Sequence, residues 1–392
     1  MTEPKKSPLV VLRALFTGAS SFRRAAPAVL IGCSGGVLAV MALVSNLLFS
    51  GQASKMEESQ FKLIATTLEF NVQNLQQRAA LTADALSNIA TIKRLHSQKN
   101  RETLLLEMEK TFEVLKEKYA VDQIQFHVLP AVSLLRVHSP ANFGDDLTQT
   151  RPGVVAVNRD KQAVAAPTMT RTGFAVLGIV PAYDETGKHI GSFEVGILFK
   201  QMIARLKEAY GFDSVVLVDG EIFKKTVTLY ADQNIYADEN RIGNFLNFRS
   251  TDWKRMKALV TTQDLQGLKE EAVSYSREAY GTKYGVVLYP LRNAAGTRIG
   301  VLASAMDMNG PAQAKSLFTI VQVTLTVLGI ILCSGAVMLV VRGYLLGPIS
   351  EISAAFGKLA NGEKSEPVDT DPYCAEIQEL GEHLKRLQEK QR

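Results

Sequence analysis

The sequence predicts an α+β protein in which a long N-terminal stalk helix and two tandem antiparallel-sheet modules are flanked by two transmembrane helices and followed by a C-terminal helical bundle. Three observations carry that prediction. Residues 27–49 (PAVLIGCSGGVLAVMALVSNLLF) and 317–341 (LFTIVQVTLTVLGIILCSGAVMLVV) contain no charged side chain, and apolar runs of that length can cross a bilayer. From Phe61 onward apolar residues return every three or four positions, the period of an amphipathic helix. The string PAYDETGKHIG at 181–191 is answered by PLRNAAGTRIG at 290–300, both spaced as Pro, five residues, Gly, two residues, Ile-Gly. Self-similarity of this kind marks a repeated structural unit.

The first apolar run exceeds 20 residues, longer than the roughly 7 to 15 of a signal-peptide core, so it reads as an uncleaved anchor. Lys5, Lys6, Arg13, Arg23 and Arg24 precede it and Arg342 follows the second run, whereas Lys55 and Lys62 on the far side are diluted by Glu57 and Glu58. Cationic flanks stay cytoplasmic, which puts both termini inside and residues 50–316 outside. The formal charge of +5 is modest and is accounted for in good part by this topology, leaving no nucleic-acid partner to invoke. Cys33 and Cys333 fall in the apolar runs and Cys374 in the tail. The outside region has no cysteine and must cohere by packing.

Along that region Phe61, Ile64, Leu68, Leu75, Ala79, Leu86 and Ile89 form one stripe, with Asn71 and Thr82 in it, and no Pro or Gly interrupts 52–118. A helix of about 30 residues reaches about 45 Å. A second helix, opened after Asn100, carries Leu104, Met108, Phe112 and Leu115 on one face. Beyond Tyr119 short runs bounded by turn residues read as strands at 124–129, 173–183 and 191–199, then a helix at 200–209, then strands at 214–220, 271–278, 284–291 and 298–306. In each copy of the repeat Pro181 or Pro290 stands late in a strand where a ladder donor is least needed. Gly187 or Gly296 supplies a positive φ at the turn, and Ile-Gly restarts the partner strand. Two unrelated Gly-rich hairpins are the competing reading; four matched positions in the same strand context favour duplication.

This layout resembles the double Cache sensory domain of bacterial receptors, a tandem of PAS-like modules, over about residues 50–310. FHVLPAVSLLRVHSPANFGDDLTQTR at 126–151 resembles a segment of the family's membrane-distal module, and GFAVLGIVPAYDETGKHIGSFEVG at 173–196 its closing hairpin. In the tail, Ile349, Ile352, Phe356 and Leu359 form one helical stripe and Ile377, Leu380, Leu384 and Leu387 another, joined by a Gly/Pro-bearing connector. With Pro348 at the span exit and Glu376-Ile377 opening the second helix, the tail resembles a HAMP linker. Gln378 departs from that pattern, which more often has Gly there, and a plain amphipathic tail is the alternative. The resemblance implies a cytoplasmic segment 1–26, a span 27–49, a periplasmic sensor 50–315, a span 316–341 and a HAMP domain 342–392. The sensor divides into stalk helices 50–118, a distal module 119–210 and a proximal module 211–315. Two tail helices cannot bury both faces alone, so a homodimeric four-helix bundle is expected.

His127, Arg136, His138, Asp145, Asp146 and Arg151 crowd into a short region of the first module, with Arg171 before the next strand. Arg136 and His138 alternate on one strand face, and guanidinium forks capture carboxylates and related oxyanions. The expectation is a pocket for a small anionic metabolite. The competing reading is a structural network in which the two aspartates satisfy loop amides and pair with arginine. As metal ligands of a hydrolase, His127, His138, Asp145 and Asp146 match no compact spacing, and no nucleophile elbow accompanies them, so neither catalysis nor a cofactor or metal is expected. In the second module Tyr275, Arg277 and Asp307 are candidates for a pocket lining but read rather as outward-facing or hairpin-stabilising, and 249–257 reads as a solvated helix start rather than a nucleic-acid contact. The chain is thus expected to be an inner-membrane receptor that senses a small ligand and signals through HAMP. Because its tail carries no output module, the output is expected from a chemoreceptor, kinase or cyclase partner. A membrane-anchored metabolite-binding or adaptor protein without signalling is the alternative, and a truncated receptor or kinase product a third.

Overall fold

The computed structural model describes residues 22–229, 232–371 and 375–390; Lys5, Lys6, Arg13 and Cys374 lie outside the described residues. The chain divides into two compact units, one of them Lys55–Ala312.

Within Lys55–Ala312, the helix Phe22–Ser87 supplies the stalk, and its inward stripe of Ile64, Leu68, Val72, Leu75, Ala79 and Ala83 is fully buried. The sequence stripe carries on to Ile89, but the helix stops at Ser87. Ser87 Oγ and Asn88 Nδ2 both donate to the Asp84 carbonyl, at 3.0 and 2.9 Å, and such local side-chain bonds compete with the helical ladder. A short helix Ala90–Ser97 intervenes before Arg101–Tyr119. The latter opens where the sequence predicts, with Asn100 Oδ1 accepting from the Thr103 amide at 3.2 Å.

The first sheet contains β1 (Val121–Val128), β2 (Val132–Arg136), β3 (Val164–Thr170), β4 (Gly173–Tyr183) and β5 (His189–Ile197), in the order β2-β1-β5-β4-β3. The helix Pro152–Asp160 lies before β3, and Lys200–Tyr210 leads into the second sheet. There β6 (Asp213–Asp219), β7 (Arg241–Ile242), β8 (Phe245–Ser250), β9 (Val273–Ala279), β10 (Thr282–Arg292) and β11 (Arg298–Asp307) run β7-β8-β6-β11-β10-β9. Apart from the extra β7, the second order repeats the first: β6 stands for β1, β8 for β2, and β9 to β11 for β3 to β5.

The repeated string gives the two sheets matching hairpins. Pro181 and Pro290 each lie two residues past the last position paired to the outer strand, Ile179 in β4 and Leu288 in β10, so the missing N–H costs no ladder bond on that side. Asp184 Oδ1 accepts from the Thr186 and Lys188 amides, and Asn293 Oδ1 from those of Ala295 and Thr297. Gly187 and Gly296 close these turns at φ of 83° and 80°. The last glycine of each string is set by close approach. A Cβ on Gly191 would fall 1.9 Å from the His127 carbonyl oxygen, and one on Gly300 would fall 2.6 Å from that of Leu217.

One core runs along the stalk and takes one face of both sheets, with Phe126, Phe193 and Val195 from the first and Val216, Val287 and Leu302 from the second. The opposite faces are covered separately. The helix Pro152–Asp160 seals part of the first with Val154 and Val157, and the helix Trp253–Leu259 seals the second with Met256 and Leu259.

Among the described residues, two helices long and apolar enough to cross a membrane occur within Pro27–Ser87 and Ser316–Ala360. Phe49 and Phe318 stack at 4.0 Å, and Gln322 Nε2 donates to the Ala42 carbonyl at 2.5 Å. A π-helical turn, Val340–Leu346, precedes the helix Gly347–Ala360. This packs Ile352, Ala355 and Leu359 against Ile377 and Leu384 of the helix Ala375–Lys390. Ile349, Leu380 and Leu387 of the predicted stripes are exposed.

Candidate functional site

Strand alternation sorts β1 into two sets: Ile124 and Phe126 join the stalk core, while Gln123, Gln125 and His127 point the other way. All three polar residues are buried, as are Ser192 and Glu194 opposite them on β5 and Ser133 and Arg136 on β2. Polar groups shut away from water are costly unless hydrogen-bonded, and most of these are. Gln123 donates to Thr170 Oγ1 and Gln125 to Ser133 Oγ, both at 2.9 Å. His127 Nδ1 and Ser192 Oγ share a 3.0 Å bond, and Arg151 Nη2 pairs with Glu194 Oε2.

Beside this face lies a cavity of about 470 Å³, within the usual range for a small-molecule site. Arg136, His138, Asp145, Asp146, Arg151 and Arg171 all line it. His127, the remaining residue singled out from sequence, does not line it: it is wholly buried behind the wall. Arg136 grips Asp145 through both oxygens, at 2.6 and 2.7 Å, and donates to the Asn142 carbonyl at 2.8 Å. Asp146 Oδ1 accepts from the amide and hydroxyl of Thr148. The two aspartates are therefore already partnered, Asp145 by Arg136 at the end of β2 and Asp146 by Thr148 in its own loop, although they form part of the cavity wall.

Burial governs the histidines. Desolvation holds His127 down to about 3 and His96, whose Nε2 donates to the His127 carbonyl, down to about 4, so both are neutral at physiological pH. His138 is lowered for the same reason. Burial alone would raise the Glu194 carboxyl, but the charge and hydrogen bond of Arg151 outweigh it, and its pKa ends lower than usual. Glu194 Oε1 and His127 Nε2 have no hydrogen-bond partner among the described residues.

Sequence reasoning misses two parts of the wall. Gln123 and Gln125 carry a legible signal, since DQIQFHV alternates polar and apolar residues. Lys225, Thr226, Thr228 and Leu229 also line the cavity and carry none: they follow β6, in the second module, and only the fold brings them there. In the second module Arg277 is bound to Asp264 at 2.6 and 3.1 Å, and Tyr275 to the Leu259 carbonyl at 3.0 Å; both side chains tie β9 to the helical segment that precedes it rather than to its hairpin partner β10.

Two matched sheets on one stalk, one of them with a polar cavity, define a tandem sensory domain. The chain belongs to a double Cache family, described as the double sensory domain of two-component sensor kinase, which it matches over residues 53–303. No curated protein matches the chain. Similar solved structures include an extracellular ligand binding receptor from Desulfohalobium retbaense, at 15% identity and TM-score 0.35, covering 63% of this chain and 40% of that one. The ligand-binding domain of the Campylobacter jejuni chemoreceptor Tlp3 in complex with L-valine is similar at 8% identity and TM-score 0.40, covering 68% of this chain and 97% of that one. The periplasmic domain of RsbU from Chlamydia trachomatis is similar at 12% identity and TM-score 0.39, covering 68% and 98%.

Proposed function

We propose that the chain is an inner-membrane receptor whose periplasmic double Cache sensor, 50–315, takes a small ligand into the distal cavity. The signal passes through a HAMP domain, 342–392, to a separate output partner of the chemotaxis or two-component type; the chain itself performs no catalysis. The observation that carries this reading is the cavity of about 470 Å³ set beside a buried polar sheet face, where burial without a role would be costly. Two apolar helices support the membrane anchorage. A homodimer is supported by apolar positions unused within one chain: Met56, Leu63 and Phe70, exposed at heptad spacing on the stalk, and Ile349, Leu380 and Leu387 on the tail helices.

The test uses the full chain in lipid nanodiscs with Ile349→Cys as a crosslinking reporter. A small-metabolite library is screened by thermal shift, and each stabilising compound is then tested for its effect on crosslink yield. At least one compound should change both. Binding that never alters the crosslink would leave a binding protein and remove the receptor.

A further inference from the structure

The cavity wall draws on both modules, and its charges are unequally committed. Its acids are occupied, Asp145 by Arg136 and Asp146 by Thr148. Of its cations, Arg136 is spent on Asp145, and Arg151 holds Glu194. Two remain. Arg171 is half exposed and stands 3.9 Å from an Asp145 oxygen that Arg136 already binds, and exposed Lys225 has no hydrogen-bond or ion-pair partner among the described residues.

These two cations come from different modules. Arg171 sits between β3 and β4 of the distal sheet, whereas Lys225 sits in the last turn of the helix Gly220–Thr226, which follows β6 of the proximal sheet. The Leu229 amide donates to the Arg171 carbonyl at 2.8 Å, tying the segment after Lys225 to the distal module. The helix is itself fixed at its other end. Asp219, the last residue of β6, caps it through the Glu221 and Ile222 amides at 3.0 Å, and Phe223 is buried in the main core. A displacement of Lys225 is therefore carried into β6, which is hydrogen-bonded to β11.

We propose that the cavity is a two-module clamp for an oxyanion, a small carboxylate or phosphate, held from the distal module by Arg171 and from the proximal module by Lys225. The ligand itself then joins the modules. This rests on the receptor reading above and adds the chemical class of the ligand and its route into the proximal sheet. One unpaired cation, Lys225, and one held only loosely, Arg171 at 3.9 Å from an Asp145 oxygen that Arg136 already binds, favour a negative occupant, and fork and ammonium donors suit oxyanions.

The test measures melting of the full chain in nanodiscs with succinate, citrate or inorganic phosphate, against sodium chloride at equal ionic strength. At least one of these anions should raise the wild-type midpoint. Lys225→Glu should weaken that ligand at least tenfold while leaving the ligand-free midpoint in place, because Lys225 is exposed, and Lys225→Arg should restore binding. Arg171→Glu should weaken it similarly. Wild-type affinity in Lys225→Glu alongside loss in Arg171→Glu would overturn the clamp and leave an anion site within the distal module. No response of the wild type to any of the three anions would overturn the oxyanion assignment. Neither result bears on the receptor reading, which fails only if ligand binding leaves the Ile349→Cys crosslink unchanged.

Discussion

The two modules share a backbone plan and differ in what they bury on the face away from the stalk. Counting on from Gly191 in β5, Ser192 and Glu194 stand opposite His127 and Gln125 of β1. Counting on from Gly300 in β11, the same positions are Val301 and Ala303, opposite Leu217 and Val215 of β6. All eight residues are buried. In the proximal module they close an apolar core under the helix Trp253–Leu259. In the distal module they form a polar layer behind the cavity. One frame therefore accommodates either a core or a binding face, and the side chains alone decide which.

The largest expected effect comes from erasing that difference at Glu194. Glu194→Ala gives the distal sheet the residue its counterpart has, but strands Arg151, only 11% exposed, without its anion. Breaking a buried pair from one side costs about 3 to 5 kcal/mol, visible as a lower urea midpoint of the full chain in nanodiscs. The double variant Arg151→Leu with Glu194→Ala should regain most of the loss, because an apolar replacement of both partners is often neutral or better. If Glu194→Ala is as stable as the wild type, the polar layer is not held together by this pair.

The glycines give a graded pair. Alanine at Gly191 places a Cβ 1.9 Å from a backbone oxygen at φ 155°, and alanine at Gly300 places one 2.6 Å away. Overpacking of this kind costs about 1 to 3 kcal/mol, so Gly191→Ala should sit at or above the top of that range and Gly300→Ala nearer its middle. Equal losses would mean that β1 yields where β6 does not.

How far the sequence reaches follows from the same contrast. The hairpins are legible because proline, turn glycine and close-packed glycine are local demands, each met by residues near in sequence. Arg136, His138 and Asp145 are legible as a cluster because one loop carries them. The end of the stalk at Ser87 is less so, because it turns on which acceptor Ser87 and Asn88 choose. Lys225 is not legible at all, since its place in the wall depends on the packing of one module beside the other.

Acid should separate the modules. His96 and His127 have folded pKa values of about 4 and about 3 against an ordinary 6.5, and His138 and His189 are displaced the same way, mainly by burial. Below pH 6.5 the unfolded chain takes up protons that the folded distal module refuses, so stability falls as pH drops toward 4. Each fully displaced histidine contributes a slope of about 1.4 kcal/mol per pH unit. In the proximal module Asp264, bound by Arg277 and Thr261, is held to about 2, and its contribution fades only below its ordinary 3.8. Glu57 and Glu194, both lowered from an ordinary 4.5, add to the loss only toward the acid end, so between pH 6.5 and about 5 the loss belongs to the histidines of the stalk and distal module. In urea titrations across that range, His127→Gln should show a shallower slope by about one histidine's share. An unchanged slope would place the acid sensitivity elsewhere.

The smallest expected effect tests the hairpins' equivalence. Asp184 and Asn293 each use one side-chain oxygen to accept two turn amides, and Asp184 Oδ1 also takes the Thr186 hydroxyl. Asparagine and aspartate both present that oxygen, and both suit such turns. Asp184→Asn and Asn293→Asp should therefore leave the melting midpoint of the full chain unmoved, singly and together. A loss confined to Asp184→Asn would show that the carboxylate does something the amide cannot, such as holding neighbouring Lys188 by charge, and the two turns would be alike in geometry but not in electrostatics. Neutrality in both would leave the buried faces, not the hairpins, as the place where the two copies diverged.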